Sequence, residues 1–243
     1  MQGNRILGAA SGNGRASLTF RKNGKLFIRL RSPSFAIGPD KISAARASVA
    51  IYYEGDSIYH PGLAMRYLHE KRELSLLRSG DGLGQSPYMD TWHNLDMHFE
   101  ALYWNLDEEQ IHFQDIKGLN SEGRAFFESV DYYSRERYDL LQGIDERNPL
   151  DLISNYCRRN GVDDFFLDDY VAFVRKPPEQ VKAVLIDLAN QGFLNYDLDN
   201  DRIYVKERLF AYLRARAGHA DYDVMQLRST ISALPNASLS LLN

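Results

Sequence analysis

The chain has 243 residues, 44% of them hydrophobic, and a formal net charge of −4. This length allows one large or two moderate domains with a real core. Its single cysteine, Cys157, excludes an intrachain disulfide, and no apolar run is long enough for a transmembrane helix. The charge is uneven: residues 1–78 hold 13 Lys and Arg against 5 Asp and Glu, whereas residues 79–145 hold 4 against 14. The simplest expectation is that basic and acidic parts face each other, or neighbouring copies, within one assembly. A basic patch for an anionic partner is the sharper alternative. No leader with a positive and then an apolar region is visible at the start, and a cytoplasmic and a bacterial exported location both stay open. Both ends, Met1-Gln2-Gly3 and the alternating run from Asn236 to Asn243, read as cuts from something longer.

The first half reads as strands. Arg15 to Phe20 and Lys25 to Arg31 flank Lys22-Asn23-Gly24, and Asn-Gly marks a hairpin because both residues tolerate positive φ. Leu26, Ile28 and Leu30 alternate with Lys25, Phe27, Arg29 and Arg31, which predicts one buried face and one mostly cationic face. Further strands are expected at Ser34 to Ile37, Ala47 to Tyr53, Ser57 to Tyr59, Leu63 to Leu68 and Glu73 to Arg78, with a turn at Pro61-Gly62 among others. A loop over Gly80 to Pro87 follows, then long strands at Leu95 to Leu106 and Gln110 to Ile116, joined at Asp107-Glu108-Glu109. A spacing near ten residues predicts a sandwich, barrel or solenoid. Residues 120–147 form a connector, helical around Ser134 to Leu141.

Residues 148–216 change period. Asn148-Pro149-Leu150-Asp151 starts a helix with a capping side chain, a proline suited to the first turn and an acid at the positive end. Leu150, Ile153, Tyr156 and Cys157 form its stripe, and Asn160-Gly161 ends it. A short helix from about Asp168 to Arg175, with Tyr170, Val171 and Val174 inward, stops at Lys176-Pro177-Pro178. A third helix follows, with Val181, Val184, Leu185 and Leu188 on its buried face. Gly192 ends it. Strands at Phe193 to Tyr196 and Arg202 to Val205 enclose Asp197-Leu198-Asp199-Asn200-Asp201, and a last helix from about Glu207 to Ala217 packs Leu209, Phe210 and Leu213. Three helices followed by a hairpin resemble the winged helix-turn-helix superfamily. Asp221 to Leu242 then reads as strand again. The β-rich remainder resembles segments of long bacterial scaffold or surface proteins.

That resemblance implies that the third helix is the recognition helix, with Glu179, Gln180, Lys182, Ala183, Ile186 and Asp187 outward. DNA readout needs several cations on phosphates and Arg, Asn or Gln on base edges. This helix offers one cation against two anions, and its wing tip carries three aspartates. Residues 149–216 hold 10 Lys and Arg against 11 Asp and Glu, and a nucleic-acid domain normally shows a basic face. Glu179, Lys182, Ala183 and Ile186 are therefore expected to contact a protein partner, or the rest of a parent chain, and not nucleic acid.

Sites of chemistry are not evident. His93 and His98 with Asp90 and Asp96 offer metal-type donors, but their spacing matches no known site. Gly80-Asp81-Gly82-Leu83-Gly84 lacks the context of a dinucleotide fingerprint and the Gly-Lys-Ser/Thr of a P-loop. Asp197-x-Asp199-x-Asp201 begins like a calcium loop, yet Arg202 replaces its glycine and Arg208 its bidentate glutamate. Trp92, Trp104 and Tyr103 could line a sugar platform, although core packing is the commoner use. No catalytic, metal or cofactor residue is assigned, and no cofactor is expected. The expected class is α+β: a β-rich region over 1–119, the connector over 120–147, a winged helix over 148–216 and a tail over 217–243 returning as strand. The leading expectation is a non-catalytic structural or interaction fragment of a larger bacterial protein. The alternatives are a DNA-binding regulator with a ligand-sensing β domain, and a glycan-binding or hydrolytic β domain.

Overall fold

The computed structural model describes residues 6–10, 14–79, 82–115, 125–142, 147–229 and 233–241. Gly80 and Asp81 of the glycine-rich loop, Ile116, residues 120–124 and 143–146 of the connector, and both extreme ends lie outside the described residues. The fold is α+β and rich in strand, with five α-helices among the described residues and a large curled antiparallel sheet. Two compact units divide the chain: unit 1 is residues 1–127 with 227–243, and unit 2 is residues 128–226. Among the described residues, no helix is long and apolar enough to cross a membrane.

Unit 1 opens with β1 (Ile6–Ala9), β2 (Ala16–Lys22), β3 (Lys25–Ser32) and β4 (Ser34–Ile37). The β2–β3 hairpin turns at Asn23 and Gly24, with φ of 52° and 78°, the doubly positive pair that a two-residue turn requires. A register shift between Phe20 and Arg21 leaves Phe27 as the extra residue of β3. This bulge corrects the simple alternation, because Phe27 joins Ile28 against the core and meets Trp104 edge-on at 5.7 Å.

β5 (Lys41–Tyr53) and β6 (Asp56–Leu68) are both 13 residues long and form the spine. The expected turn at Pro61-Gly62 is instead part of β6. The β5–β6 ladder is irregular there, and β6 changes partner on its far side: Ile58 and Tyr59 pair with β8 (Tyr88–Asp90), whereas Ala64 to Leu68 pair with β7 (Glu73–Leu77). A proline lacks the N–H that a regular ladder would use, and an irregular position tolerates it. The expected long strand over 95–106 likewise divides into β9 (Leu95–His98), beside β8, and β10 (Ala101–Asn105), between β7 and β11 (Gln110–Gln114). Two partners on different parts of the sheet require the break at Phe99-Glu100. β17 (Ala237–Ser240) returns to pair with β11. Among the described residues these strands join one hydrogen-bonded sheet of 14 strands. The sheet curls around Leu30, Val49, Leu63, Leu74, Leu76, Leu102 and Phe113.

β12 (Phe126–Ser129) and β16 (Gln226–Arg228) are neighbours in the ladder, and the boundary between the units runs through both. Over 221–242, where strand was expected, the described residues form two strands, β16 and β17. In unit 2, α1 (Arg135–Gln142) begins where the Ser134 hydroxyl accepts the Arg137 N–H at 3.3 Å. α2 (Pro149–Asn160) starts at Asn148, whose Oδ1 accepts the Leu150 N–H at 2.9 Å, and stops at Gly161 with φ 67°.

β13 (Asp164–Phe166), too short for a periodic signal, leads into α3 (Leu167–Val174). α3 buries Leu167 and Tyr170, and leaves Val171 and Val174 half-buried. α4 (Pro178–Asn190) buries Val181, Leu185, Leu188 and Ala189, so Val184 falls at the margin of the stripe and is 36% exposed. β14 (Leu194–Asp197) and β15 (Arg202–Val205) complete a three-stranded sheet in the order β13-β15-β14. α5 (Glu207–Arg216) buries Arg208, Leu209, Tyr212 and Ala215, while Phe210 and Leu213 are only half-buried. Its inner face is rotated from the expected one because polar side chains turn in to meet partners.

Candidate interaction surfaces

The four residues expected on the outer face of α4 are not equivalent. Glu179 and Ala183 are exposed, joined by Gln180, Val184 and Asp187. Lys182 is half-buried: its Nζ lies 3.1 Å from Asp201 Oδ1 and 6.0 Å from the Tyr196 ring. Ile186 is also half-buried. Asp201 accepts a second bond from the Tyr196 hydroxyl at 2.9 Å, and burial with this bond pushes the Tyr196 phenol up. The hairpin aspartates therefore serve the hairpin. Asp197 accepts from Asp199 N–H and from Asn200 Nδ2, and Asp201 holds the one lysine of α4.

The outer face of the β13-β15-β14 sheet carries a group that periodicity did not reveal. Arg202 sits opposite Phe166, and its guanidinium lies 5.4 Å from the Phe166 ring and 5.3 Å from the Tyr204 ring. Asp164, on the same face, accepts from Arg202 Nε at 2.5 Å. Phe166 is 49% and Tyr204 41% exposed. An arginine held between two aromatic rings matches the side chains that dominate protein contacts. β13 and β15, Asp-Phe-Phe and Arg-Ile-Tyr-Val, are too short to carry a periodic signal for it.

Beneath α5 lies a polar cluster that sequence reasoning missed. Glu128 is 2% exposed at its side chain. Its two oxygens accept a bidentate pair from Arg137 at 2.6 Å each, a bond from Arg208 Nη2 at 2.8 Å and one from Gln226 Nε2 at 3.0 Å. Burial pulls the Arg208 guanidinium down to about 10, still well above neutral pH, so Arg208 stays charged. A groove of about 490 Å³, lined partly by Arg137, Gln191 and Gln226, adjoins this cluster. Cys157 is buried on α2, and burial pushes its thiol up to about 11, which suits packing and not nucleophilic chemistry.

In unit 1 the expected aromatic platform does not assemble. Trp104 is buried and donates its indole N–H to the Glu108 carbonyl at 3.0 Å. Tyr103, its neighbour in β10, is half-buried on the opposite face. Trp92 lies in the turn after β8, stacked on Tyr53 at 4.6 Å. Asp90 organises that turn: it accepts the backbone N–H groups of Trp92 and His93 and lies 2.7 Å from His93 Nδ1. His98 belongs to β9 and stacks on Phe126 at 5.4 Å.

A second buried cluster surrounds His60. The Gly62 N–H donates to His60 Nδ1 at 3.0 Å, and Nε2 lies 2.9 Å from the Ser86 carbonyl. This places the proton on Nε2 of a neutral ring. Burial, and next the charge of Arg78, hold the imidazole well below 6.5. Arg78 donates to the carbonyls of Gly84, Gln85 and Ser86, capping the short helical turn over Gly82–Gln85. A Cβ on Gly84 would stand 2.7 Å from the Ser79 carbonyl oxygen. Close approach of backbone is thus what this glycine provides.

No family model, no curated relative and no solved structure matches the chain.

Proposed function

We propose that this chain is a non-catalytic interaction module, and that residues 148–216 form a winged helix used for protein contact. The order α2, α3, α4, hairpin, α5 supports the winged-helix reading. One observation carries the functional part: the only lysine on α4 is bound to the hairpin aspartate Asp201, while the adjoining sheet exposes Phe166 and Tyr204 with the half-buried Arg202 between them. A helix that reads DNA keeps its cations for phosphate. Here a cation is neutralised within the unit, and the apolar and stacked groups face outward. Ala183, Val184 and Glu179 would extend that surface along α4.

The test is a fluorescence-anisotropy titration of the chain with a pool of random-sequence 30-mer duplexes at low salt. The expected outcome is no saturable binding below about 10 μM, weaker than the usual non-specific affinity of DNA-binding domains. Submicromolar, salt-sensitive binding lost on Lys182→Ala would overturn the reading.

A further inference from the structure

β2 is an edge strand: among the described residues it pairs with β3 alone. Two rows of side chains run along it. The inner row, Ala16, Leu18 and Phe20, packs on the core of unit 1 but stays half-buried. The matching row of β3, Ile28 and Leu30, is 0% exposed. A neighbouring strand covers the inner row of the strand beside it, and β2 has such a neighbour on one side only.

The outer row runs from Ser17 and Thr19 of β2 onto Arg31 and Arg29 of β3, which lie directly opposite them. Arg29 leans over the Tyr52 ring at 6.0 Å. Neither Arg29 nor Arg31 has a carboxylate partner among the described residues. Five acids of the same unit are engaged elsewhere: Asp90, Asp96, Glu100 and Asp115 are buried, and Asp107 is paired with Arg72 at 2.8 Å.

We propose that β2 is a docking edge for an extended segment of another polypeptide that alternates apolar and acidic residues. Its backbone would continue the ladder, and its apolar residues would complete the cover over Ala16, Leu18 and Phe20. Its carboxylates would stand on the outer face, roughly 10 Å from the backbone of β3. Arginine and glutamate side chains span that gap together and can meet in charge-assisted bonds. A second copy of this chain fits poorly. Antiparallel pairing of β2 with itself about Leu18 sets Arg15 opposite Arg21, and like charges directly opposite repel. The edge strands β1 and β17 contain no carboxylate to offer. This surface belongs to unit 1, and its assignment does not depend on the reading of α4.

The experiment titrates the full chain into a labelled, acetylated octapeptide of alternating valine and glutamate. The controls are a valine-lysine octapeptide, a valine-glutamate peptide N-methylated on alternate residues, and a 20-mer of deoxythymidine. The expected result is saturable, salt-weakened binding of the valine-glutamate peptide alone. The variant Arg29→Glu/Arg31→Glu should bind about tenfold more weakly or worse, as two exposed pairs turn from attraction to repulsion. Its thermal transition should match that of the parent; if it shifts, Arg29→Gln/Arg31→Gln takes its place. Absence of binding, equal binding of the N-methylated peptide, or unchanged affinity in the variant overturns the proposal. Tighter binding of the deoxythymidine 20-mer in competition with the peptide also overturns it, and assigns the arginine row to nucleic acid.

Discussion

Unit 1 holds a half-buried arginine and unit 2 a buried one, and they are satisfied in different ways. In unit 1, Arg78 donates to three successive carbonyls six to eight residues along the chain. It shapes one local segment, and its acceptors are backbone dipoles. In unit 2, Arg208 and Arg137 converge on one carboxylate, and Glu128 ties together segments 80 and 98 residues apart. The first arrangement depends on a loop conformation, the second on a single side chain. Losing Glu128 strands two cations at once, whereas disturbing the Arg78 segment costs geometry and leaves the charge with other acceptors to find. A buried pair that loses one member is costly because the other remains desolvated and uncompensated.

This difference can be broken from either side, with a separate probe for each unit. Both tryptophans, Trp92 and Trp104, are in unit 1, and all five helices of the described residues are in unit 2. Tryptophan emission thus follows the first and the 222 nm circular dichroism the second. Glu128→Ala should give the largest effect, about 3–5 kcal/mol lost from the 222 nm transition in urea; a loss under 1 kcal/mol would show that the cluster is not a staple. Gly84→Ala should cost about 1–3 kcal/mol in the emission transition, because the Ser79 backbone has to yield.

Acid should act on unit 1 through His60. Its folded value lies below the unfolded 6.5, so the unfolded state binds the proton first as pH falls. The stability it contributes is complete above about pH 6.5 and declines below it, by at most about 1.4 kcal/mol per pH unit. His60→Gln should flatten that slope in the emission transition, and an unchanged slope would exonerate the imidazole. Lys182→Ala should have the smallest effect, less than about 1 kcal/mol at 222 nm, since Lys182 and Asp201 are 32% and 49% exposed.

Sequence showed most clearly the features that a few adjacent residues decide. The Asn23-Gly24 turn, the Asn148 cap and the Gly161 terminator depend on one or two side chains and a φ angle. Pro61-Gly62 misled for the same reason. Such a pair usually turns a chain, and only the partner exchange of β6 from β8 to β7 makes it a kink within a strand. Helix faces were legible for α2, where apolar residues alone define the stripe. On α5 the true inner face contains Arg208, and no hydropathy pattern places an arginine inside. Its reason to be there, Glu128, lies 80 residues upstream. The expected α4 surface was marked on charge and period. The Phe166–Arg202–Tyr204 stack was not, because it arises only when β13 is laid beside β15.

The ladder also closes unit 2 at its own ends. The Ser129 N–H donates to the Met225 carbonyl at 3.2 Å, and Tyr132 bridges to Asp223. Entry and exit are thus one strand apart. For the β-rich part of the chain, unit 2 acts as a pre-tied knot in a string of about 100 residues. Bringing the ends of a loose segment of that length together costs about 4 kcal/mol of chain entropy. Once unit 2 has folded, that cost is already met, and the segment from Leu227 onward is delivered beside Phe126 and Phe127.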